Sequence, residues 1–262
     1  MIRFHRQFDP QAIRLLVFDL DGTLIDSRLD LVHSVNATLR HFERPELPDE
    51  LIAAYVGDGA PTLIRRALGG RSYGGPGDGG PDVRDPGDEP IDEQMLRAAL
   101  EYFLAYYRIH KLDHTVVYEG IPEVLAALAA GSCGAGISAR PGADKNVRPT
   151  RQMAVLSNKP VNPSRAIVEA LGLGEFFVRI YGGNSFTTKK PDPLGVQTIL
   201  EETGFTAAEA LMIGDSSVDV LTGRSAGLWT CGVTYGFAPQ TLEEVAPDVV
   251  IEKPAELGEL FR

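Results

Sequence analysis

The chain predicts an α/β fold: a doubly wound, mostly parallel sheet with an inserted α-helical cap domain. Three observations point there. Short apolar runs that stop abruptly recur along the chain, helical patterns separate them, and one long block breaks the rhythm with helical patterns alone. Strands alternating with helices build parallel βαβ units covered on both faces. A helical block after the first strand reads as an insertion. The core is therefore expected over residues 1–25 and 119–262, and the cap over 26–118.

The first strand is Leu15–Phe18, an apolar run ended by Asp19. The later strands are Met153–Leu156, Val178–Tyr181, Ala210–Ile213, Trp229–Val233 and Val249–Ile251. Between them lie the helical patterns Pro122–Ala130, Pro163–Leu171, Pro193–Thr203 and Ser217–Ala226. Pro122, Pro163 and Pro193 sit near helix starts, where a missing N–H costs little. In the inserted block, Leu29–His41 carries apolar residues at 31, 32, 35 and 39, Pro61–Leu68 is a short helix opened by proline, and Asp92–His110 is long and amphipathic. No convincing strand is expected from Asp26 to about Tyr118. Gly69–Pro90 is dominated by glycine, proline and aspartate, so a mobile loop within the cap is expected. Gly131–Arg151 is small and polar, and reads as a surface loop.

Composition narrows the functional classes. With 262 residues, 44% of them hydrophobic, the chain can fill one large core or a core plus a smaller domain. A net charge of −11 disfavours a nucleic-acid binder, which needs a basic face. Cys133 and Cys231 alone make neither a disulfide framework nor a metal spacing, which fits a reducing compartment. No apolar stretch reaches the roughly 18 residues of a membrane span, and the N-terminus does not read as a signal peptide. A cytoplasmic protein that engages neither membrane nor nucleic acid is expected, as monomer or homodimer.

The chemistry lies where strands end, because ligands of a parallel sheet gather at the carboxyl ends of its strands. Asp19 and Asp21 follow the first strand. Ser157 and Asn158 follow Ala154-Val155-Leu156, Lys189 and Lys190 precede Pro191, and Gly214-Asp215 through Asp219 follow Leu211-Met212-Ile213. In extended backbone, positions i and i+2 point to one side. Two carboxylates a few ångströms apart repel by roughly 4 kcal/mol at an effective dielectric near 20, a cost that a divalent metal converts into a binding site. Read singly, Asp21-Gly22 is also a hairpin turn, Asp219 a helix cap, Ser157 a cap and Lys190 a solvated lysine. Their order and strand-end placement carry the inference. Several carboxylates, a lysine and a hydroxyl, without an obvious histidine base, suit Mg²⁺ and phosphoryl transfer through an aspartyl nucleophile.

These segments resemble the motifs of the haloacid dehalogenase superfamily of phosphatases. Asp19-Leu20-Asp21-Gly22-Thr23-Leu24-Ile25-Asp26-Ser27 is similar to the first motif and Leu156-Ser157-Asn158-Lys159 to the second. Lys190-Pro191 is similar to the third, and Gly214-Asp215-Ser216 through Asp219 to the fourth. Val56-Gly57-Asp58-Gly59 and Gly232-Val233-Thr234-Tyr235-Gly236 further resemble the phosphoglycolate phosphatase group. The resemblance implies a Rossmann-like core and Mg²⁺-dependent hydrolysis of a small phosphomonoester, 2-phosphoglycolate first among candidates. It implies Asp19 as nucleophile and metal ligand. Asp21 would be general acid and base, with its carbonyl on the metal. Ser157 and nearby N–H groups, with Asn158 and Thr23, would hold the phosphoryl, and Lys190 would hold Asp19 and the phosphoryl. Asp215 would be the third protein ligand and Asp219 would order a metal-bound water or Lys190.

In the cap, Gly57 and Gly59 permit close backbone approach before the helix Pro61–Leu68, whose start favours an anion such as a substrate carboxylate, and Arg65 is a further candidate. Other members of the fold remain open: a sugar-phosphate phosphatase, a pyrophosphatase or a phosphoglucomutase-like transferase. A non-catalytic phosphate-binding relative is the reading from a different class.

Overall fold

A computed structural model describes residues 1–69, 92–130 and 151–262. In chain order the first elements are β1 (Arg3–Phe4), β2 (Leu15–Phe18), β3 (Ile25–Asp26), α1 (Arg28–His41), α2 (Asp49–Ala54), α3 (Ala60–Ala67) and α4 (Glu93–His110). Next come β4 (Val116–Val117), α5 (Ile121–Ala130), β5 (Gln152–Leu156), α6 (Val161–Ala170), β6 (Arg179–Tyr181) and α7 (Leu194–Thr203). The chain closes with β7 (Ala210–Gly214), α8 (Ser217–Ser225), β8 (Trp229–Val233), β9 (Val249–Ile251) and α9 (Pro254–Leu260). Among the described residues, no helix is long and apolar enough to cross a membrane.

Two compact units result, one of Met1–Ser27 with Thr115–Arg262 and one of Arg28–His114. The first holds a sheet ordered β1-β9-β8-β7-β2-β5-β6, parallel except where β1 pairs antiparallel with β9. The expected mixed α/β architecture is therefore present. β2 lies between β5 and β7, with Leu15 opposite Gln152 and Ala210, and Phe18 opposite Val155 and Ile213. Alternate side chains of β2 serve opposite faces. Leu15 and Val17 pack with Ala154, Leu156, Val196, Ile199 and Met212, while Leu16 and Phe18 are also buried. A strand buried on both faces must be apolar throughout, and this is why the apolar runs read so clearly.

The unit Arg28–His114 is helical among its described residues. The buried stripe of α1, including Leu31, Val35 and Leu39, packs with apolar residues of α4 such as Leu96, Ala99 and Phe103. His41 of α1 stacks on Tyr102 of α4, with ring centroids 4.0 Å apart.

One expectation is corrected. The stretch from Asp26 to Tyr118 contains strand residues, because β3 pairs antiparallel with β4 as Ile25↔Val117 and Asp26↔Val116. Two residues per strand are too few for an alternating pattern to register, and Val116 is exposed. The same brevity hides β1. The stretches expected as loops, Gly69–Pro90 and Gly131–Arg151, lie outside the described residues except at Gly69 and Arg151.

Candidate active site

The register of the sheet brings the candidate residues together. The Asp19 N–H donates to the Ile213 carbonyl at 2.8 Å, so the chain leaves β2 alongside the end of β7. Asp215 follows β7, Ser157 follows β5, and both are buried. Carboxylate oxygens of Asp19, Asp215 and Asp219 all lie within 4.8 Å of one another.

Lys190 supplies the cation. Its Nζ stands 2.7 Å from Asp19 Oδ1 and 2.6 Å from Asp219 Oδ1. Burial alone would lower the Lys190 ammonium, but Asp19 and Asp219 outweigh it and hold the group above its ordinary value. Asn158 Nδ2 donates to the Lys190 carbonyl at 3.1 Å, which ties the end of β5 to the backbone that carries the lysine.

The carboxylates differ in their partners. Asp219 uses Oδ1 for Lys190, while Oδ2 accepts from the Ser216 N–H at 3.2 Å and its hydroxyl at 2.7 Å, closing a capping box on α8. Asp215 is held through Oδ2, by the Phe237 N–H at 2.5 Å and the Ala238 N–H at 3.2 Å. Burial first, then the charges of Asp219 and Asp19, raise the Asp215 carboxyl against the two N–H donors, to about 8 in all. Burial likewise pushes Asp19 up to about 6, against the pull of Lys190. Without a metal, these buried carboxylates relieve their crowding by binding protons. That is the behaviour of a donor set short of positive charge, and hard oxygen ligands of this kind fit a cation such as Mg²⁺.

Asp21 points into a different set of contacts. Lys159 Nζ lies 2.9 Å from both of its oxygens, and the Ser27 hydroxyl donates to Oδ1. Lys159 also donates its N–H to the Ser157 hydroxyl at 3.2 Å. Both Lys159 and Ser27 lie inside the motif segments, but the sequence reading gives neither a role. The signal for Lys159 is its place beside Ser157 and Asn158 at a strand end, where carboxylates gather.

A second group, visible in the sequence as Gly232 through Gly236 but given no role there, follows β8. Tyr235 donates its hydroxyl to the Thr23 carbonyl at 3.0 Å, and the Phe237 and Ala238 N–H groups grip Asp215. Gly22 and Gly236 allow this closure. A Cβ at Gly236 would strike both Asp215 and the Gly22 carbonyl, and Gly22 has φ +83° with Asp215 directly against it. Thr23 is fully buried, so a ligand reaches its side chain only if this turn opens.

In the helical unit, Gly57 and Gly59 have φ of 127° and 86°, and Gly59 precedes α3. Arg65 is paired with Glu93 at 2.9 Å, and Arg66 pairs with Asp58 of the glycine loop at 2.7 Å.

Comparison with known proteins places the chain in a family. A family model described as a haloacid dehalogenase-like hydrolase matches residues 13–227. The chain is 31% identical over 250 residues to the phosphoglycolate phosphatase of Rhodospirillum rubrum, covering 95% of this chain and 90% of that protein. It is 34% identical over 254 residues to the phosphoglycolate phosphatase of Pseudomonas fluorescens, covering 96% and 81%. The crystal structure of a predicted phosphoglycolate phosphatase from Haemophilus somnus superposes with a TM-score of 0.79 at 25% identity, covering 96% of this chain and 99% of that one. The matched span opens just before the strand that ends in Asp19 and closes just after the helix that carries Asp219, and the chain belongs to the haloacid dehalogenase-like hydrolases.

Proposed function

We propose that this hydrolase of phosphoric monoesters acts on 2-phosphoglycolate, releasing glycolate and phosphate through an aspartyl-phosphate on Asp19, with Mg²⁺ as its metal. The observation that carries the chemistry is Asp19 held 2.7 Å from Lys190 beside two further buried carboxylates. The substrate rests on the relatives, since proteins named phosphoglycolate phosphatase are similar over nearly the whole chain.

In this reading an Asp19 oxygen attacks phosphorus and the bond to the glycolate oxygen breaks. Asp21 gives that oxygen its proton. Water then attacks the phosphorus of the aspartyl-phosphate, Asp21 takes a proton from it, and the Asp19–phosphorus bond breaks. Splitting the displacement this way replaces one difficult step by two easier ones. Lys190 offsets charge on Asp19 and the phosphoryl oxygens, and Ser157 with neighbouring N–H groups holds those oxygens. Asp19, Asp215 and the Asp21 carbonyl would hold Mg²⁺, which supplies positive charge to the transferring phosphoryl group. Asp219 has both oxygens engaged by Lys190 and Ser216, so it serves by orienting Lys190.

Docking of the substrate carboxylate at Gly57, Gly59 and Arg65 has less support. Arg65 is engaged by Glu93, and the loop carries an anion of its own in Asp58.

The test is phosphate release from a panel of phosphomonoesters, with and without Mg²⁺, beside Asp19→Asn. A preference for 2-phosphoglycolate that vanishes without the metal and in the variant is the expected result. Mg²⁺- and Asp19-dependent turnover spread over sugar phosphates would remove the substrate and keep the chemistry.

A further inference from the structure

Lys159 is a buried cation that the proposed steps leave without a task. It stands at the end of β5, its side chain only 5% exposed, with Nζ 2.9 Å from both oxygens of Asp21. Asp21 is the residue that must meet the leaving oxygen. Whatever is bonded to that oxygen therefore enters beside the Lys159 ammonium. In 2-phosphoglycolate the group beyond the leaving oxygen is a carboxylate, two bonds away.

We propose that Lys159 is the subsite for this carboxylate, and so sets a preference for phosphate esters of 2-hydroxy acids. The inference rests on the reading of Asp21 as the acid that faces the leaving group. When Asp21 turns an oxygen to the substrate, the two-pronged pairing with Lys159 is lost. An incoming carboxylate then supplies an oxygen where Asp21 withdraws one, in a charge-assisted hydrogen bond to the ammonium. Ser27 still holds Asp21 through Oδ1 during the exchange. An ester without a carboxylate offers no such oxygen, so the same residue favours one leaving group over the other.

The experiment compares 2-phosphoglycolate with ethyl phosphate, which carries a methyl group in place of the carboxylate, in wild type, Lys159→Met and Lys159→Arg. Loss of a charge-assisted hydrogen bond predicts that Lys159→Met lowers kcat/KM for the glycolate ester about 10-fold to 100-fold more than for ethyl phosphate. Most of that difference should lie in KM, and Lys159→Arg should recover part of it. Equal losses on both esters, carried by kcat, would mean that Lys159 only positions Asp21 and would overturn the proposal. The wild-type ratio of the two esters tests the phosphoglycolate assignment, whereas the change in that ratio on substitution tests Lys159, so either can fail alone. Should Lys159→Met not fold, Lys159→Gln, which keeps a donor for Asp21, is read by the same ratio.

Discussion

Lys190 donates to Asp219 at 2.6 Å, and both side chains are closed to solvent. The pair joins the loop before α7 to the first turn of α8. Removing the lysine would leave Asp19 and Asp219 as buried anions without their cation. Breaking a buried pair by deleting one partner costs about 3–5 kcal/mol. Lys190→Ala is expected to lower the metal-free unfolding free energy by that order in a urea titration, and to abolish phosphate release.

The metal-free protein should lose stability as pH rises. Asp19 and Asp215 keep their protons to about 6 and about 8, above the ordinary value of 3.8. Between those limits the folded chain binds more protons than the unfolded one, so their contribution is complete below 3.8 and fades as pH climbs through 6 and 8. Mg²⁺ competes for the same carboxylates, so the gain in melting temperature on adding it should be larger near pH 8 than near pH 5. A gain that is flat with pH would refute the assignment.

Asp19→Asn should separate activity from stability. Losing the nucleophile should cut turnover by at least about a thousandfold. The amide carries no charge into the crowded site, so the variant without metal should melt higher than wild type near pH 8. Calorimetry with chelator present reads this directly.

Gly236→Ala tests the grip on Asp215. The added methyl meets the Asp215 side chain and the Gly22 carbonyl, both of which shape the proposed metal site. Mg²⁺ affinity should drop about 10-fold to 100-fold, the range for disturbed support of a metal ligand. Isothermal titration would show it, and unchanged affinity would separate this loop from metal binding.

Tyr235→Phe removes the hydroxyl that holds the Thr23 carbonyl. One hydrogen bond of this kind contributes about 0.5–1.5 kcal/mol, with a further cost for an unsatisfied buried acceptor. A loss of that size in chemical denaturation is expected.

The inner parallel strands, β2 above all, are legible because a strand covered on both faces cannot hide its apolar run, whereas β6 lies at the sheet edge with Arg179 exposed. β1, β3 and β4 escape because two residues carry no period, and α9 because its apolar face shows only through Leu257, Leu260 and the following Phe261. At the site, Asp19 and Asp215 can be placed near one another from strand ends alone, while Lys190, in the loop before α7, is placed only through the order of the motifs. The pairing of Lys159 with Asp21 cannot, since 138 positions separate them and no local pattern marks the partner. The same holds for Tyr235, whose partner carbonyl lies 212 positions away. Arg65 shows the reverse limit. A helix start and a basic residue are visible in the sequence, but the glutamate that occupies that residue is not.

The position of β2 has a consequence for how the protein is made. It is an early strand, apolar at every position, and both of its neighbours come late, with β5 opening at Gln152 and β7 at Ala210. On the ribosome the nascent chain therefore carries a bare apolar ribbon through the synthesis of the whole helical insertion. Such a segment is exposed to wrong pairing while it waits. The inserted helices, whose contacts are more local, can fold meanwhile. The acidic cluster of Asp19, Asp215 and Asp219 is complete only after Asp219 has emerged, so its first member waits for the other two through most of the synthesis.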